Sequence, residues 1–347
     1  MNLKQTILVA ALAVAFPVMA SAAVILTDGK ILIGVDDDGQ LNVGGGSADV
    51  AGETVVGVRT TIGGEEYEST SHGCLCEGWG VSADGVTAAA SNDVARNGGT
   101  FNLTGGALSD ITGSTATSVT SMATGELKVT HAFAPSGDSA DLYRVTVTLE
   151  NLGVVDLINV GYRRAMDWDA SPTPFNEYVS IGGTATTTLL ADSSNNGFND
   201  LDMNIALTDS IDGTVCGLKI DFVDCGPGDH GAAFDFAFGT LAAGASYTFD
   251  IFYGASESEA EAFTALGDVK AELYSFGRSG CDTDGDGIGD ICSDGAPTPT
   301  FIFAFAGVGG TVVVDPGPAP IPLPAAGLLL LGGLGSLGAA RRLKRRS

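Results

Sequence analysis

From Leu127 to Phe133 apolar and polar positions alternate: Leu127, Val129, His131 and Phe133 fall on one face, Lys128 and Thr130 on the other. LYRVTVTLE repeats the pattern, with Tyr143, Val145, Val147 and Leu149 set against Arg144, Thr146, Thr148 and Glu150. Period two with one apolar side marks half-buried strands. The intervening APSGDSAD has turn chemistry, so the two runs predict an antiparallel pair. Phe234, Phe236 and Phe238 follow the same rule, as do Phe249, Ile251 and Tyr253, and Phe301, Phe303 and Phe305. Such runs extend from Val24 to Val314, enough chain for a sizeable core. Many strands joined by Gly-rich turns predict a mainly β protein, an antiparallel β-sandwich over residues 23–314.

Three segments depart from period two. SESEAEAFTALGDVKAELYSF spaces Phe263, Leu266, Val269 and Leu273 as one helical face. Ser256 as cap, Glu259 closing a capping box, and Glu257 and Glu261 near the positive helix start predict a helix over 257–275, packed on a sheet. At the N-terminus an apolar run from Ile7 to Met19 precedes Ala20-Ser21-Ala22. That layout predicts a signal peptide over 1–22, cut between Ala22 and Ala23. At the far end, after a Pro-rich linker over 315–320, Ile321 to Ala340 are 20 uncharged residues, about 30 Å as a helix. RRLKRR follows, which keeps the tail on the cytoplasmic side of a membrane.

Charge sharpens this picture. All 42 acidic residues but only 10 of the 16 basic ones lie between Ala23 and Pro320, a net −32, while the last seven residues carry +5. So acidic a surface repels nucleic acid and anionic lipid and attracts cations. Six cysteines in an exported chain point to disulfides. Spacing favours Cys281–Cys292 and then Cys216–Cys225; Cys74 and Cys76 either close a tight ring or pair elsewhere. For a thiolate metal site the neighbourhood of Cys74 offers only His72.

CDTDGDGIGDICSD sets Asp282, Asp284, Asp286 and Asp290 around Gly287, with Asp294 beyond. Calcium takes six to eight oxygens, which alternate aspartates and the carbonyl of Ile288 can supply around a glycine bend. An EF-hand requires Glu where this chain has Ser293. The run instead resembles a thrombospondin type 3 calcium repeat, matching D-x-D-x-D-G-x-x-D-x-C through Cys292, in a single copy. The resemblance implies a structural calcium ion in loop 281–294, and a Cys281–Cys292 bridge would close that loop. DSSNNGFND, with Asp192, Ser194, Asn196 and Asp200, is a weaker echo.

RRAMDWDASPTPFNEY groups Asp167, Asp169 and Glu177 around Trp168. Carboxylates beside an aromatic ring fit a sugar-binding surface, with Trp79 as a second platform. They also fit glycosidic hydrolysis, or ion pairs with Arg163 and Arg164. His131 belongs to the apolar face of its strand, and Asp229–His230 to a turn. Neither a nucleophile elbow, nor a phosphate loop, nor an HExxH zinc spacing occurs. The expectation is a protein without catalytic activity.

The tail carries a further signature. Pro322, Leu323, Pro324 and Ala325 precede the apolar segment and the terminal Arg cluster. This arrangement resembles the PEP-CTERM sorting signal of Gram-negative bacteria in its V-P-L-P-A variant, with Ile321 in place of Val. The resemblance, over residues 321–347, implies recognition by an exosortase, passage through the inner membrane, and processing near the motif. The product would reach the cell surface or the extracellular matrix. GCLCEGWG, YRRAMDWD, FNEYVSI, GPGDHGAAFDFAFG and FIFAFAGVGG resemble segments of exported proteins that carry this signal, and imply no activity. The expected function is a structural or adhesive role in exopolysaccharide or biofilm.

Overall fold

Strands dominate because the alternating runs find partners along their whole length. A computed structural model describes residues 23–209, 214–281, 290–291 and 298–313. The expected signal peptide through Ala22, loop residues Asp282, Asp284, Asp286, Ile288, Cys292 and Asp294, and sorting residues Pro322, Leu323, Pro324 and Ala325 lie outside these. Among the described residues no helix is long and apolar enough to cross a membrane.

The chain enters as β1 (Ala23–Thr27) and β2 (Ile31–Asp36), passes through β3 (Val43–Gly44) and β4 (Val55–Val56), and returns as β5 (Val58–Ile62) and β6 (Glu65–Glu68). β1, β2, β5 and β6 form a four-stranded sheet, and β3 pairs with β4. β7 (Glu77–Ala83) and β8 (Val86–Ser91) open a second, five-stranded sheet; β9 (Leu103–Ser109), β10 (Ala116–Met122), β11 (Leu127–Pro135) and β12 (Leu142–Asn151) open a third, of ten strands. The chain then alternates between these two. β13 (Leu157–Asp167), β15 (Leu190–Ser194) and β17 (Gly231–Leu241) join the five-stranded sheet. β14 (Glu177–Gly182), β16 (Phe222–Gly228) and β18 (Ser246–Ser256) join the ten-stranded one. After helix α1 (Glu259–Asp268), β19 (Leu273–Cys281), β20 (Asp290–Ile291) and β21 (Thr300–Ala306) complete the large sheet.

The orders are β15-β17-β13-β7-β8 and β16-β14-β19-β21-β18-β12-β11-β10-β9, with β20 beside β19. The expected antiparallel pair is β11 with β12, Val129 opposite Leu149 and Phe133 opposite Val145. β19 and β20 bring the two ends of the aspartate loop together, Cys281 opposite Asp290.

The two large sheets face each other across aromatic layers. Phe234 of β17 meets Phe303 and Phe305 of β21 at 5.5 and 5.2 Å between ring centroids, and Tyr162 of β13 meets Phe249 of β18 at 5.2 Å. Ile31, Ile33 and Val58 of the four-stranded sheet enter the same core. Part of the other face of the ten-stranded sheet is buried too: Leu142, Phe252, Phe276, Ile302 and Ala304 pack against Ala262, Ala265 and Leu266 of α1.

The helix is shorter than the periodicity predicts. β18 keeps pairing as far as Ser256, which faces Thr300 and donates to Asp141 Oδ2 at 2.6 Å, so Ser256 is not free to cap. Ser258 caps instead, accepting from Glu261 N at 3.3 Å. Lys270, left-handed at φ 57°, ends the turn after the helix, and Leu273 then points into the main core as part of β19. Phe263 and Leu266 do the expected packing.

His131 is a core residue. Its Nε2 is 2.9 Å from Tyr162 Oη and its ring 4.9 Å from that of Trp79. Burial, and then the charge of Arg164, push its pKa well below the ordinary value. The unfolded chain therefore takes up this proton first, near pH 6.5, and the stability linked to His131 is lost as pH falls below that. Thermal melts between pH 7.5 and 5 should show an acid slope of up to about 1.4 kcal/mol per pH unit from this group. His131→Gln should flatten it; an unchanged slope would assign the acid limb to other groups.

Candidate functional site

The acidic residues of DWD lie at one corner between the two large sheets, because the chain crosses there twice. β13 runs antiparallel to β17 until Asp167 faces Gly231. The pairing continues one step further, Trp168 N donating to His230 O at 2.9 Å. Asp169 N then turns to Ser69 O at 2.7 Å, and its carboxylate comes within 4.8 Å of that of Asp229. Alternation gives Asp167 and Asp169 a common face and turns Trp168 to the other. The chain then crosses into the large sheet and resumes as β14 at Glu177, between Gly228 of β16 and Ser279 of β19. The return from β16 to β17 passes through Asp229 and His230. All four acids thus sit on the two crossovers.

One carboxylate oxygen each of Asp167, Asp169 and Asp229 lies within 4.8 Å of the others. Asp167 is 1 % exposed, and Asp169 and Glu177 are fully enclosed; Asp229 is half-buried. Neither carboxylate oxygen of Asp169 has a hydrogen-bond partner, nor has Oδ1 of Asp167 or Oε2 of Glu177. Glu177 Oε1 accepts from Phe175 N at 2.6 Å. Burial, and then the neighbouring charges of Asp169, Asp229 and Glu177, push the Asp167 carboxyl well above its usual range, with Arg96 a partial offset. Burial and Asp229 do the same to Asp169, and burial and Asp169 to Glu177.

Two disulfides flank the corner. Cys74–Cys76 forms locally, Cα atoms 5.2 Å apart, with Cys74 Sγ 3.6 Å from Asp167 Oδ2. Asp167 N donates to Cys76 O at 2.9 Å. Cys216–Cys225 forms as the spacing predicts, Cα atoms 6.1 Å apart. Asn195 Nδ2, beside it, is 2.8 Å from His230 Nδ1. Arg96 stacks over Phe198 at 4.4 Å and brings Nη1 to 3.4 Å from Cys74 Sγ.

The Asn-rich run after β15 is a hydrogen-bonded plug. Asn199 Nδ2 donates to Asn196 O at 2.9 Å and Asn97 Nδ2 to Gly197 O at 3.0 Å. A Cβ on Gly197 would lie 2.5 Å from Asp167 Cα, so only glycine lets this loop press on the end of β13. His72 does not meet the thiols: Nδ1 is 3.1 Å from Asp169 O, and Nε2 pairs with Asp49 at 3.4 Å.

The alternative roles written into RRAMDWD separate cleanly. Arg163 pairs with Asp235 at 2.6 Å and Arg164 with Glu77 at 2.5 Å, so neither neutralises the DWD acids. Trp168 and Trp79 are fully enclosed. Trp168 Nε1 donates to Ser275 Oγ at 3.0 Å, and Trp79 Nε1 to Asp38 O at 2.8 Å. Enclosed rings offer no face for stacking on a sugar, which corrects the platform reading of Trp168. Carboxylates so enclosed cannot touch a polymer. Asp229, which the sequence reading left in a turn with His230, joins Asp167 and Asp169 only in the folded chain. No family model matches the chain, and no curated protein matches it either.

Chemically, the corner is a set of hard oxygen donors with a surplus of negative charge, suited to a cation or to shared protons.

Proposed function

We propose that the protein is an exported, non-catalytic component of the cell surface or extracellular matrix of a Gram-negative bacterium. It is sorted and processed by an exosortase and serves a structural or adhesive role in exopolysaccharide or biofilm. The observation that carries this reading is the pairing of Cys74 with Cys76 and of Cys216 with Cys225. Disulfides persist in oxidising compartments outside the cytoplasm, the destination that the N-terminal segment encodes. The acidic surface suits a soluble domain beyond the membrane. The IPLPA tail supplies the address, and its apolar segment a membrane-held intermediate. Calcium in the 281–294 loop would stabilise the fold where extracellular concentrations of the ion are high.

Mass spectrometry of the C-terminus, on protein from separated membrane and extracellular fractions of native cells, tests the reading. A chain ending near Pro324, found outside the membrane fraction, is expected. A chain retaining residues through Ala340 would make the tail a permanent anchor and overturn exosortase processing.

A further inference from the structure

We propose that Asp167, Asp169, Asp229 and Glu177 bind one divalent cation of the calcium class, at a centre distinct from the 281–294 loop, which clamps the two large sheets together. The proposal rests on the corner geometry and is independent of how the chain is sorted.

Two ligand atoms on opposite sides of a calcium ion, each at about 2.4 Å, stand about 4.8 Å apart. One oxygen each from Asp167, Asp169 and Asp229 fits within that span. The donors are carboxylates; the neighbouring sulfurs are tied up in a disulfide, and His72 Nδ1 faces a main-chain carbonyl. That set selects a hard cation over zinc or copper.

The second observation is the state of the enclosed oxygens. Neither carboxylate oxygen of Asp169, one of which belongs to the close group, has a hydrogen-bond partner, nor has Glu177 Oε2, which feels the charges of Asp169 and Asp229. Buried charge is retained in folded proteins when it is paired or coordinates a metal. Arg96, exposed and engaged by Phe198, supplies only part of the missing charge. Half-buried Asp229 marks the side from which an ion enters.

Position gives the ion its role. Asp167 and Asp169 start the crossover out of the five-stranded sheet, and Glu177 ends it in the ten-stranded one. Asp229 belongs to the returning crossover. One ion bound by all four joins both connections and so fixes the sheets against each other.

The test uses full-length protein with its disulfides intact, stripped of metal, in an Asp284→Ala background that disables the loop. Calcium titration by calorimetry and thermal melting should show about one ion per chain. A rise in melting temperature of roughly 5–10 °C is expected at a hundred times Kd. Terbium in place of calcium should give luminescence excited through tryptophan. Adding Asp169→Asn should weaken binding at least tenfold and remove both the shift and the luminescence. Its metal-free melting temperature should stay level or rise, because a buried carboxyl set against Asp229 has gone. Glu177→Gln, from the other sheet, should weaken binding in the same direction. Absence of calcium binding in the Asp284→Ala protein would mean that the corner holds protons, and would overturn the proposal. So would an Asp169→Asn chain that melts lower with and without calcium alike, or one that binds calcium unchanged.

Discussion

Arg164→Met should destabilise the fold by about 3–5 kcal/mol, because it leaves Glu77 buried without its partner. Both side chains are fully enclosed, with Arg164 Nε 2.5 Å from Glu77 Oε1. Glu77 Oε2 also accepts from Leu41 N at 2.7 Å, and Arg164 Nη1 donates to Gly39 O at 3.2 Å. The pair thereby joins β7 and β13 to the turn after β2. Burial raises the Glu77 pKa, and Arg164 offsets only part of that. Burial works against the Arg164 charge, but Glu77, Tyr253 and Tyr162 outweigh it and hold its pKa above the ordinary value. For a chain of this size the loss corresponds to a fall in melting temperature of roughly 6–20 °C. Removing both charges with Arg164→Met and Glu77→Leu should recover most of it, since a buried pair contributes little beyond apolar packing of equal volume. A single Arg164→Met protein melting within about 2 °C of the parent would show that Glu77 finds another partner.

The sequence carried the strands well because period two is a local property. Val129, Val145, Val147 and Leu149 are buried where alternation puts them, and Lys128, Thr146 and Thr148 are not. Local pattern fails where a neighbour decides. Ile302 and Ala304, on the expected outer face of β21, are buried under α1. The helix start shifts from Ser256 to Ser258 because β21 holds Ser256 in a ladder. The acidic corner was half legible. Asp167 and Asp169 share a face by alternation, and the same rule turns Trp168 away from them, which argues against a joint sugar platform. Asp229 and Glu177 reach the corner through the pairing of β13 with β17 and of β14 with β16. Nothing in a single sequence sets those registers.

Trp168→Ala should cost about 3–5 kcal/mol, as truncation of a fully buried large aromatic does. The indole lies flat on the main chain of β19: a Cβ on Gly277 would come within 2.4 Å of its Cδ2. Its Nε1 donates to Ser275 Oγ at 3.0 Å, and its ring centroid is 6.4 Å from that of Phe301. A residue at the end of the five-stranded sheet thus pins itself to the ten-stranded one, beside the crossover that carries Asp167 and Asp169. Melting temperature should fall by roughly 6–20 °C, and the calcium affinity of the corner should fall with it as the two aspartates lose their fixed spacing. Trp168→Phe keeps most of the apolar volume and loses the hydrogen bond, so it should recover more than half of the stability. This ordering also bears on polysaccharide binding, where loss on Trp168→Ala would report a loosened corner rather than a missing contact. Only a Trp168→Ala chain that melted like the parent while losing polysaccharide binding would restore the ring as a ligand surface.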